Sequence, residues 1–564
     1  MRWEIRGVDE RAVARLCRDL NVSNLIARLL VLRGIADSES AQRFLNPSLN
    51  HLHDPYLLAE MKPAVARLRR ALQQREKILI YGDYDVDGTM AVAILLAALR
   101  SLGGRVETFI PQRLSDGYGM QAAVVEEAAA QGVRVVISVD TGIREHAALE
   151  RARELGLDCI VTDHHLPDEH LPPACAILNP RLADCSYPDK LLAGVGVAFK
   201  LVQALLGARL SGRLLHSYLK VVAIGTIADV VPLTGENRVI AHFGLEALRQ
   251  PSQAGLQTLL EVCGLAGREI SAGDVAFRLA PRLNAAGRME NARDVIDLLI
   301  CAEAEKTREI ASRLERLNRD RQRVEEAILR EIGEIMEREP ARRERYSLVL
   351  AGEGWHRGVI GIVAQRVVER YQRPALVIGL EEGGGVGSGR SIRTFHLLDA
   401  LTAVEDLFTR FGGHAMAAGF ALPANRIAEL ERRFEQYARA VLKPVDLEPV
   451  LRVDAEVSGG DIDWALFEAL QALAPFGCGN PTPVLAARAL PLLLGPRVIQ
   501  EKHLKLKVAC GTRPVDAIAW RMADRAAALA PGQPLDLAFT LDQNVFQDVK
   551  SLQLVVSEFR TCPA

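Results

Sequence analysis

The chain has 564 residues, enough for three or four domains at about 150 residues each. Hydrophobic residues make up 49% of it and charged residues 25%, which excludes a mainly disordered, collagenous or fibrous protein. Lys and Arg total 69 against 71 Asp and Glu, for a formal charge of -2. Any surface that binds a polyanion must therefore be a local basic patch.

Export and membrane signals are missing from the sequence. The N-terminal stretch MRWEIRGVDERAVARLC carries charges where a signal peptide needs an apolar run. Since no segment approaches 18 consecutive apolar residues, we expect no membrane contact. The nine cysteines form no CxxC pair, which argues against a zinc knuckle or a disulfide framework. These features favour a cytoplasmic protein.

Apolar strands alternate with helix-forming segments from about residue 75 to residue 230. KILIY (77–81), VRVVISV (133–139) and LDCIVT (157–162) are largely apolar runs, and each leads into a polar turn. Strands of this kind are buried on both faces by helices. The pattern therefore predicts an α/β domain with a parallel sheet.

The second half of the chain changes character twice. Residues 302–345 are dominated by Glu and Arg with apolar residues at helical spacing, which predicts one long helix connecting two domains. YSLVLAGEG (346–354) and PALVIGL (374–380) then indicate a second α/β domain, and short alternating strands after Pro444 indicate a small β-barrel. The predicted units are an N-terminal segment, the parallel-sheet domain, the connecting helix, the second α/β domain and the barrel, at residues 1–50, 51–300, 301–345, 346–443 and 444–564.

The sharpest functional signal is YGDYDVDGT (81–89), directly after a buried strand. Asp83, Asp85 and Asp87 occupy alternate positions, so in an extended turn their carboxylates would share one side. Three like charges this close need a counter-charge, which a bound cation supplies. A solvated turn or a helix cap is the alternative, because Asp favours both, and calcium loops use a similar spacing.

Further acids and histidines occur at or within later apolar segments. They are Asp140 in VISVDTG, Asp163, His164 and His165 in IVTDHH, and Asp229 in GTIADVVPL. Ligands of open α/β sheets gather beyond the carboxyl ends of the strands, and we expect each of these segments to lie at such an end. Their side chains should therefore converge in one crevice. Carboxylates with imidazole and no thiolate favour Mn²⁺ or Mg²⁺, and two such ions suit phosphoryl transfer.

The runs DYDVDG, VDTG, DHH and IADVVPL, in this order and spacing, resemble the four motifs of the DHH phosphoesterase superfamily. The resemblance covers nearly the whole chain and is greatest to the bacterial exonucleases of that superfamily. It implies two Mn²⁺ or Mg²⁺ ions bound by Asp83, Asp85, Asp87, Asp140, His164 and Asp229. It also implies a catalytic group of Asp140 between the ions, His165 facing the scissile phosphate, and Asp163 orienting its neighbours.

Position 81 is a tyrosine, where the pyrophosphatase-like members of the superfamily carry a metal-binding histidine. The resemblance therefore assigns the metal contact at this strand end to Asp83 rather than to residue 81.

A second pair of motifs places glycines beside basic and hydroxyl groups: GVGSGRSIRTFHL (385–397) and FGGHAMAAGF (411–420). Backbone amides, hydroxyls and a guanidinium at one turn suit a phosphate, and a hairpin with solvated arginines is the alternative. The pair resembles the DHH-associated substrate-binding domain of the superfamily. By that resemblance Ser388, Arg390 and His414 bind substrate.

Two more segments resemble the same exonucleases, PQRLSDGYG (111–119) and APRLNAAGRM (280–289). The resemblance implies that Arg113 and Arg282 contact the terminal 5′ phosphate of a nucleic acid strand. Judged by composition alone, each arginine would be an ordinary surface residue.

The predicted barrel contains HLKLKV (503–508), which as a strand presents His503, Lys505 and Lys507 on one face. That basic face suits the backbone of a single nucleic acid strand. An ordinary solvated edge strand is the alternative, because aromatic residues that could stack on bases are sparse in this region.

The resemblance, together with the predicted metal site, implies a bacterial 5′ to 3′ exonuclease that acts on the 5′ end of single-stranded DNA and releases 5′ mononucleotides in DNA repair and recombination. A single-strand-binding protein and a helicase are further candidate partners. Two alternatives stay open. One is a small-substrate phosphoesterase, such as a pyrophosphatase or nanoRNA hydrolase, with the same metal centre; the other is a non-catalytic, Cdc45-like replication scaffold.

Overall fold

The N-terminal region of this computed structural model is a strand followed by three helices. The structure describes residues 1–113, 119–381, 383–547 and 549–562. The first elements are β1 (Arg2–Ile5), α1 (Glu10–Leu20), α2 (Asn24–Leu32) and α3 (Ser38–Leu45). Each helix begins where a short polar side chain, Asp9, Ser23 or Asp37, accepts a hydrogen bond from a backbone N–H in the first turn.

A five-stranded parallel sheet in the order β3-β2-β4-β5-β6 forms the core of the next region. Its strands are β2 (Lys77–Gly82), β3 (Arg105–Phe109), β4 (Val133–Val139), β5 (Asp158–Thr162) and β6 (Ala176–Leu178). Its helices are α4 (Met61–Gln74), α5 (Val86–Ser101), α6 (Ala122–Ala130), α7 (His146–Glu154), α8 (Gly194–Leu206), α9 (Gly212–Ala228), α10 (Gly235–Leu248), α11 (Ala254–Val262), α12 (Ala272–Asp274), α13 (Ala280–Met289) and α14 (Arg293–Ile300). The predicted parallel sheet is confirmed, and its apolar strands are buried as expected.

The long connecting helix is also confirmed, as the 35-residue α15 (Ala304–Arg338). Its apolar stripe packs into two hydrophobic cores, one toward each end of the helix. Leu314 and Leu317 pack into the core of the parallel-sheet region, while Ile328 and Ile332 pack into that of the next domain. The helix is therefore built into both domains.

The second α/β domain has a mixed five-stranded sheet in the order β10-β11-β9-β8-β7. Its elements are β7 (Leu348–Glu353), α16 (Ile360–Tyr371), β8 (Ala375–Glu381), β9 (Gly384–Arg390), α17 (Leu397–Thr402), β10 (Arg410–Gly413), β11 (Ala417–Pro423) and α18 (Ile427–Val441). α16 packs on one face of this sheet and α17 and α18 on the other. Gly385, Gly387 and Gly389 of β9 alternate with the larger residues Val386, Ser388 and Arg390.

The C-terminal strands close into the predicted barrel. The elements are β12 (Val450–Val453), β13 (Ala455–Glu456), α19 (Trp464–Gln471), β14 (Leu485–Ile499), β15 (His503–Cys510), β16 (Arg513–Ala519), β17 (Pro534–Phe546) and β18 (Val549–Thr561). The order β14-β15-β16-β18-β17 is closed by antiparallel pairing of β14 with β17. Inward apolar and outward polar residues alternate along β15.

The N-terminal segment joins this barrel. β1 pairs in parallel with β12, and Leu16, Leu29 and Leu30 lie in the same apolar core as the barrel strands. No helix in the described parts of the chain is long and apolar enough to cross a membrane.

Candidate active site

Three neighbouring strands bring most of the predicted site residues to one edge of the parallel sheet. β2, β4 and β5 are adjacent and parallel, so their carboxyl ends meet. Asp83 follows β2, Asp140 follows β4 and the 163–165 segment follows β5. The expectation of a strand end is wrong for Asp229, which is the C-cap residue of helix α9. The predicted convergence beyond the strand ends is therefore present in the structure.

The side chains form overlapping sets suited to more than one cation. The sets whose ligand atoms lie within 4.8 Å of one another are Asp83, Asp85 and Asp140; Asp87, His164 and Asp229; and Asp140, His164 and His165. Asp140 and His164 link these sets, because Nε2 of His164 lies 3.2 Å from Oδ1 of Asp140 and 3.7 Å from Oδ2 of Asp229.

The DYDVDG segment does not stay extended through its three acids, so the condition for all three carboxylates to share one side is not met. α5 already begins at Val86, where the side chain of Asp85 accepts a hydrogen bond from the N–H of Gly88 and caps the helix. Asp87 therefore lies in the first helical turn, rotated away from Asp83, and it joins a different set. Asp85 therefore both caps α5 and belongs to the acid cluster.

Several polar atoms of the cluster are buried without a hydrogen bond among the described residues. They are Oδ1 of Asp83, Oδ1 of Asp140, Oδ2 of Asp229 and Nε2 of His164. Unpartnered carboxylate oxygens and an imidazole nitrogen are ligands that Mn²⁺ and Mg²⁺ accept. The residues present therefore fit divalent cations.

The electrostatics of the cluster lead to the same conclusion. Burial, reinforced by neighbouring carboxylates, raises the pKa of Asp87 to about 7 and that of Asp229 to about 9, and it raises the pKa of Asp83 and Asp140 well above the usual range. Burial, together with the charge of His165, lowers the pKa of His164 to about 4. A divalent cation would hold the acids ionised and the imidazole neutral.

Backbone geometry holds the acids in place. The carboxylate of Asp87 accepts hydrogen bonds from the backbone N–H groups of Gly194 and Val195, at 2.6 and 2.9 Å, at the start of α8. A Cβ on Gly194 would lie 2.6 Å from Oδ1 of Asp140. Asp140 itself has a φ of +58°, a left-handed conformation that non-glycine residues seldom adopt. The site therefore requires both a close approach and a strained residue.

Asp163 organises the two histidines that follow it. Its Oδ1 accepts hydrogen bonds from the backbone N–H groups of His164 and His165, and it lies 2.7 Å from Nδ1 of His165. Its other oxygen accepts the N–H of Ile143. Despite burial, these contacts lower the pKa of Asp163, and the Asp163 carboxylate raises the pKa of His165. The geometry agrees with the orienting role expected for Asp163.

Three guanidinium groups gather beside the acid cluster. Arg113 lies over the ring of Tyr84, 5.3 Å from its centroid. In the sequence, Tyr84 stands between Asp83 and Asp85. The charge of Arg113 lowers the pKa of Arg288 and Arg390, although burial is the larger cause at each. Among the described residues none of the three forms an ion pair with a carboxylate. Unbalanced positive charge of this kind indicates a site for an anion.

The second α/β domain contributes the other half of this anion site. Oγ of Ser388 accepts a hydrogen bond from Arg390 at 3.1 Å. A Cβ on Gly361, in the first turn of α16, would lie 3.1 Å from that Oγ, so the N-terminal end of the helix also faces the site. The exposed His414 is close enough to Arg390 for that charge to lower its pKa, with burial the larger cause.

Sequence reasoning missed Arg288, and the structure does not bring Arg282 to this group. Both arginines lie on α13, but the guanidinium of Arg282 binds the carboxylate of Glu315 and the carbonyl of Arg278. Arg288 instead donates to the carbonyl of Gly358 in the second α/β domain, at 3.3 Å. The signal for Arg288 was its place at the end of the glycine-containing APRLNAAGRM motif.

The barrel lysines share one face as predicted, but they do not stand alone there. Nζ of Lys505 lies 2.9 Å, and Nζ of Lys507 3.7 Å, from the carboxylate of Asp516 on the adjacent strand. At the end of the same face Trp520 is 53% exposed and packs edge-on against His503. An aromatic residue is therefore present that the sequence reading did not single out.

Comparison with known proteins gives the family. Models of the DHH family N-terminal domain, the DHHA1 domain and the RecJ OB domain match residues 77–226, 345–440 and 453–558. The single-stranded-DNA-specific exonuclease RecJ of Bacillus subtilis is 38% identical over 561 residues, 99% of this chain and 70% of that protein. The same-named protein of Dickeya dadantii is 38% identical over 94% of this chain and 95% of its own length. This chain belongs to the RecJ family.

Solved structures agree with that assignment. The crystal structure of RecJ in complex with Mn²⁺ from Thermus thermophilus superposes with a TM-score of 0.84 at 32% identity, over 100% of this chain and 80% of that one. The Mg²⁺ complex from the same organism gives 0.79 at 30% identity, over 100% and 79%. The predicted order of parallel-sheet domain, connecting helix, second α/β domain and OB-fold barrel is thus the architecture of RecJ.

Proposed function

We propose that this chain is a metal-dependent exonuclease that degrades single-stranded DNA from its 5′ end and releases 5′ mononucleotides. The observation that carries the proposal is the position of an anion site beside the acid cluster. Tyr84, under the guanidinium of Arg113, lies between Asp83 and Asp85. A strand end held at the arginines would present its first internucleotide phosphate to the acids.

The polarity follows from this pairing of sites. Release of a 5′ mononucleotide breaks the bond between phosphorus and the 3′ oxygen of the terminal nucleotide. The new phosphate oxygen comes from water, and the phosphate stays on the 5′ end of the shortened strand. Each cleavage therefore recreates the terminal phosphate that Arg113, Arg288, Ser388 and Arg390 would bind. This regenerated contact supports the proposed 5′ to 3′ direction.

Residues of the chain would share the chemistry with the bound ions. Two divalent ions, held by Asp83, Asp85, Asp87, Asp140, His164 and Asp229, would promote attack by water and neutralise charge that develops on the phosphate. Asp163 fixes the ring of His165 through Nδ1, and this contact sets the direction in which Nε2 would donate to a phosphate oxygen. The side chain of His165 is 44% exposed, as contact with substrate requires.

A preference for unpaired strands is supported by the surface next to Asp229. A cavity of about 510 Å³ between the parallel-sheet region, α15 and the chain leading to the barrel has largely apolar walls. Val230 and Phe277 at this cavity are 65% and 82% exposed. Unpaired bases can pack on such side chains, whereas bases in a duplex are already stacked and paired. The cytoplasmic location, the single-strand-binding protein and the helicase stay predictions from the sequence.

The test is degradation of single-stranded oligonucleotides labelled at the 5′ or 3′ end, with EDTA and Mn²⁺. A label at the 5′ end should be released at once as a mononucleotide in Mn²⁺, and it should not be released in EDTA. Asp140→Ala should abolish turnover yet leave DNA binding measurable, whereas Asp184→Ala, an exposed acid of the same region, should behave as wild type.

Other results would contradict the proposal. Unchanged cleavage by the Asp140 variant, or initial release of the 3′ label, would refute it. Faster hydrolysis of pyrophosphate or dinucleotides would favour a small-substrate phosphoesterase. Tight binding without metal-stimulated cleavage in the wild type would favour the scaffold.

A further inference from the structure

We infer that Tyr81 is a positioning residue that holds the Arg113 connection against the catalytic strand ends. The inference rests on the proposed function, in which Arg113 binds the terminal 5′ phosphate. Tyr81 is fully buried at the end of β2, two residues before Asp83. Its hydroxyl donates a buried hydrogen bond to the carbonyl of Gly119 at 3.0 Å. The side chain thus reaches from a metal-binding strand end to the substrate-binding connection.

Tyr81 contacts both ends of that connection, which runs from β3 to α6. Its ring packs on Phe109, the last residue of β3, with the ring centroids 5.1 Å apart. Its hydroxyl holds Gly119, shortly before α6 begins at Ala122. One buried side chain therefore fixes the point where the chain leaves the sheet and the point where it returns, with Arg113 between them.

A second side chain holds the returning end. The half-buried carboxylate of Glu145 accepts a hydrogen bond from the backbone N–H of Met120. A Cβ on Gly119 would overlap that carboxylate, and Gly119 has a φ of +93°, so only glycine fits there. Glu145 follows Asp140 by five residues. Tyr81 thus lies at the end of β2, and Glu145 is the N-cap residue of α7 shortly after Asp140, so both tethers come from segments that carry acids of the cluster.

The tether explains what a tyrosine contributes at position 81. Arg113 must meet a phosphate whose position is set by the acids, so its guanidinium has to keep a fixed distance from them. Loss of the Tyr81 hydroxyl leaves the buried carbonyl of Gly119 without this donor and frees the returning end. The expected effect falls on recognition of the terminal phosphate and leaves metal binding unchanged.

Tyr81→Phe tests this directly, because it removes the hydroxyl and keeps the ring on Phe109. We expect the KM for a 5′-phosphorylated strand to rise about fivefold to tenfold, the equivalent of one net hydrogen bond. The kcat, the Mn²⁺ midpoint and the KM for a 5′-hydroxyl strand should stay within about twofold. Glu145→Gln, which keeps an acceptor but removes the charge, should have a smaller effect in the same direction. Tyr218→Phe, another buried tyrosine of this region, is the matched control.

Three results would overturn the inference: an unchanged KM, an equal loss on both strands, or a shifted Mn²⁺ midpoint, which would assign Tyr81 to the metal site. Amide hydrogen exchange separates this inference from the proposed function, because it needs no activity. Tyr81→Phe should speed exchange at Met120 relative to wild type and to Tyr218→Phe. Unchanged exchange there would refute the tether even in an active enzyme, and faster exchange would support it even if the wild type proved not to be a 5′ exonuclease.

Discussion

Without divalent cations, the protein should become less stable as the pH rises. Burial and neighbouring carboxylates raise the pKa of Asp87 to about 7 and that of Asp229 to about 9, against 3.8 for the ordinary side chain. The folded state therefore keeps protons that the unfolded chain has lost, and each increase in pH favours unfolding until the folded pKa is passed. For these groups, stability is greatest below pH 3.8 and is lost as the pH approaches 9.

The effect of the acids can be measured by itself above pH 6.5. Burial lowers the pKa of His164 from 6.5 to about 4, so its contribution has the opposite sign and changes only between those values. Above pH 6.5 the contribution of Asp229 to the free energy of unfolding falls by about 1.4 kcal/mol per pH unit, or about 3 kcal/mol by pH 9. Its side chain is only 21% exposed, so solvent reduces this figure modestly. A bound cation would pair with the ionised acids and remove the penalty.

Thermal unfolding between pH 6.5 and 9, in EDTA or in excess Mg²⁺, measures this effect. The midpoint in EDTA should fall by several degrees more than the midpoint in Mg²⁺. Asp229→Asn should flatten the EDTA curve, whereas Asp524→Asn, an exposed acid on the barrel, should follow the wild type. A midpoint in EDTA that is constant or rises with pH would refute the reasoning, because the acids would then carry no penalty for ionising.

Two further substitutions test the anion site and the barrel face. Arg288→Ala should raise the KM for 5′-phosphorylated strands about tenfold or more and change little with 5′-hydroxyl strands, since it removes charge-assisted contacts. Arg282→Ala, on the same helix, should leave that ratio unchanged, and the reverse result in steady-state kinetics would restore the sequence-based choice. Asp516→Asn should strengthen single-strand binding and steepen its salt dependence, because Lys505 and Lys507 lose their ion-pair partner. Fluorescence anisotropy at two salt concentrations measures this, and an unchanged salt slope would place the strand elsewhere.

Part of the acid cluster was predictable because Asp83, Asp140 and His164 follow buried strands, whereas Asp229 reaches the cluster from the end of a helix. Continuous apolar runs mark parallel strands, and parallel strands end at a common edge, so Asp83, Asp140 and His164 could be grouped without coordinates. The local path of the first motif was not predictable in the same way. An aspartate before a helix can cap it, and capping by Asp85 started α5 early enough to rotate Asp87 into another set.

The choice between Arg282 and Arg288 shows what local patterns lack. Six residues on a helix correspond to a rotation of about 600°, so the two side chains leave α13 on different sides. Which side faces substrate depends on what packs there. α15 supplies Glu315 to Arg282, while the second α/β domain lies against Arg288 through Gly358. The pairing of β1 with β12, far apart in sequence, was hidden for the same reason.

The spacing between the acid cluster and the anion site depends on how the two α/β domains are joined. Arg113 and Arg288 come from the parallel-sheet region, whereas Ser388 and Arg390 come from the second domain. A flexible linker would let the two halves of the anion site move relative to each other, and their distance from the acid cluster would then vary. α15 prevents this, because a continuous helix about 50 Å long buries one end of its stripe in each core. Direct contact adds to this rigidity, since a Cβ on Gly358 of the second domain would lie 2.5 Å from the carbonyl of Arg288. The helix that the sequence predicts as a connector therefore also contributes to the site, because it holds the half of the anion site that lies in the second domain at a fixed distance from the acid cluster.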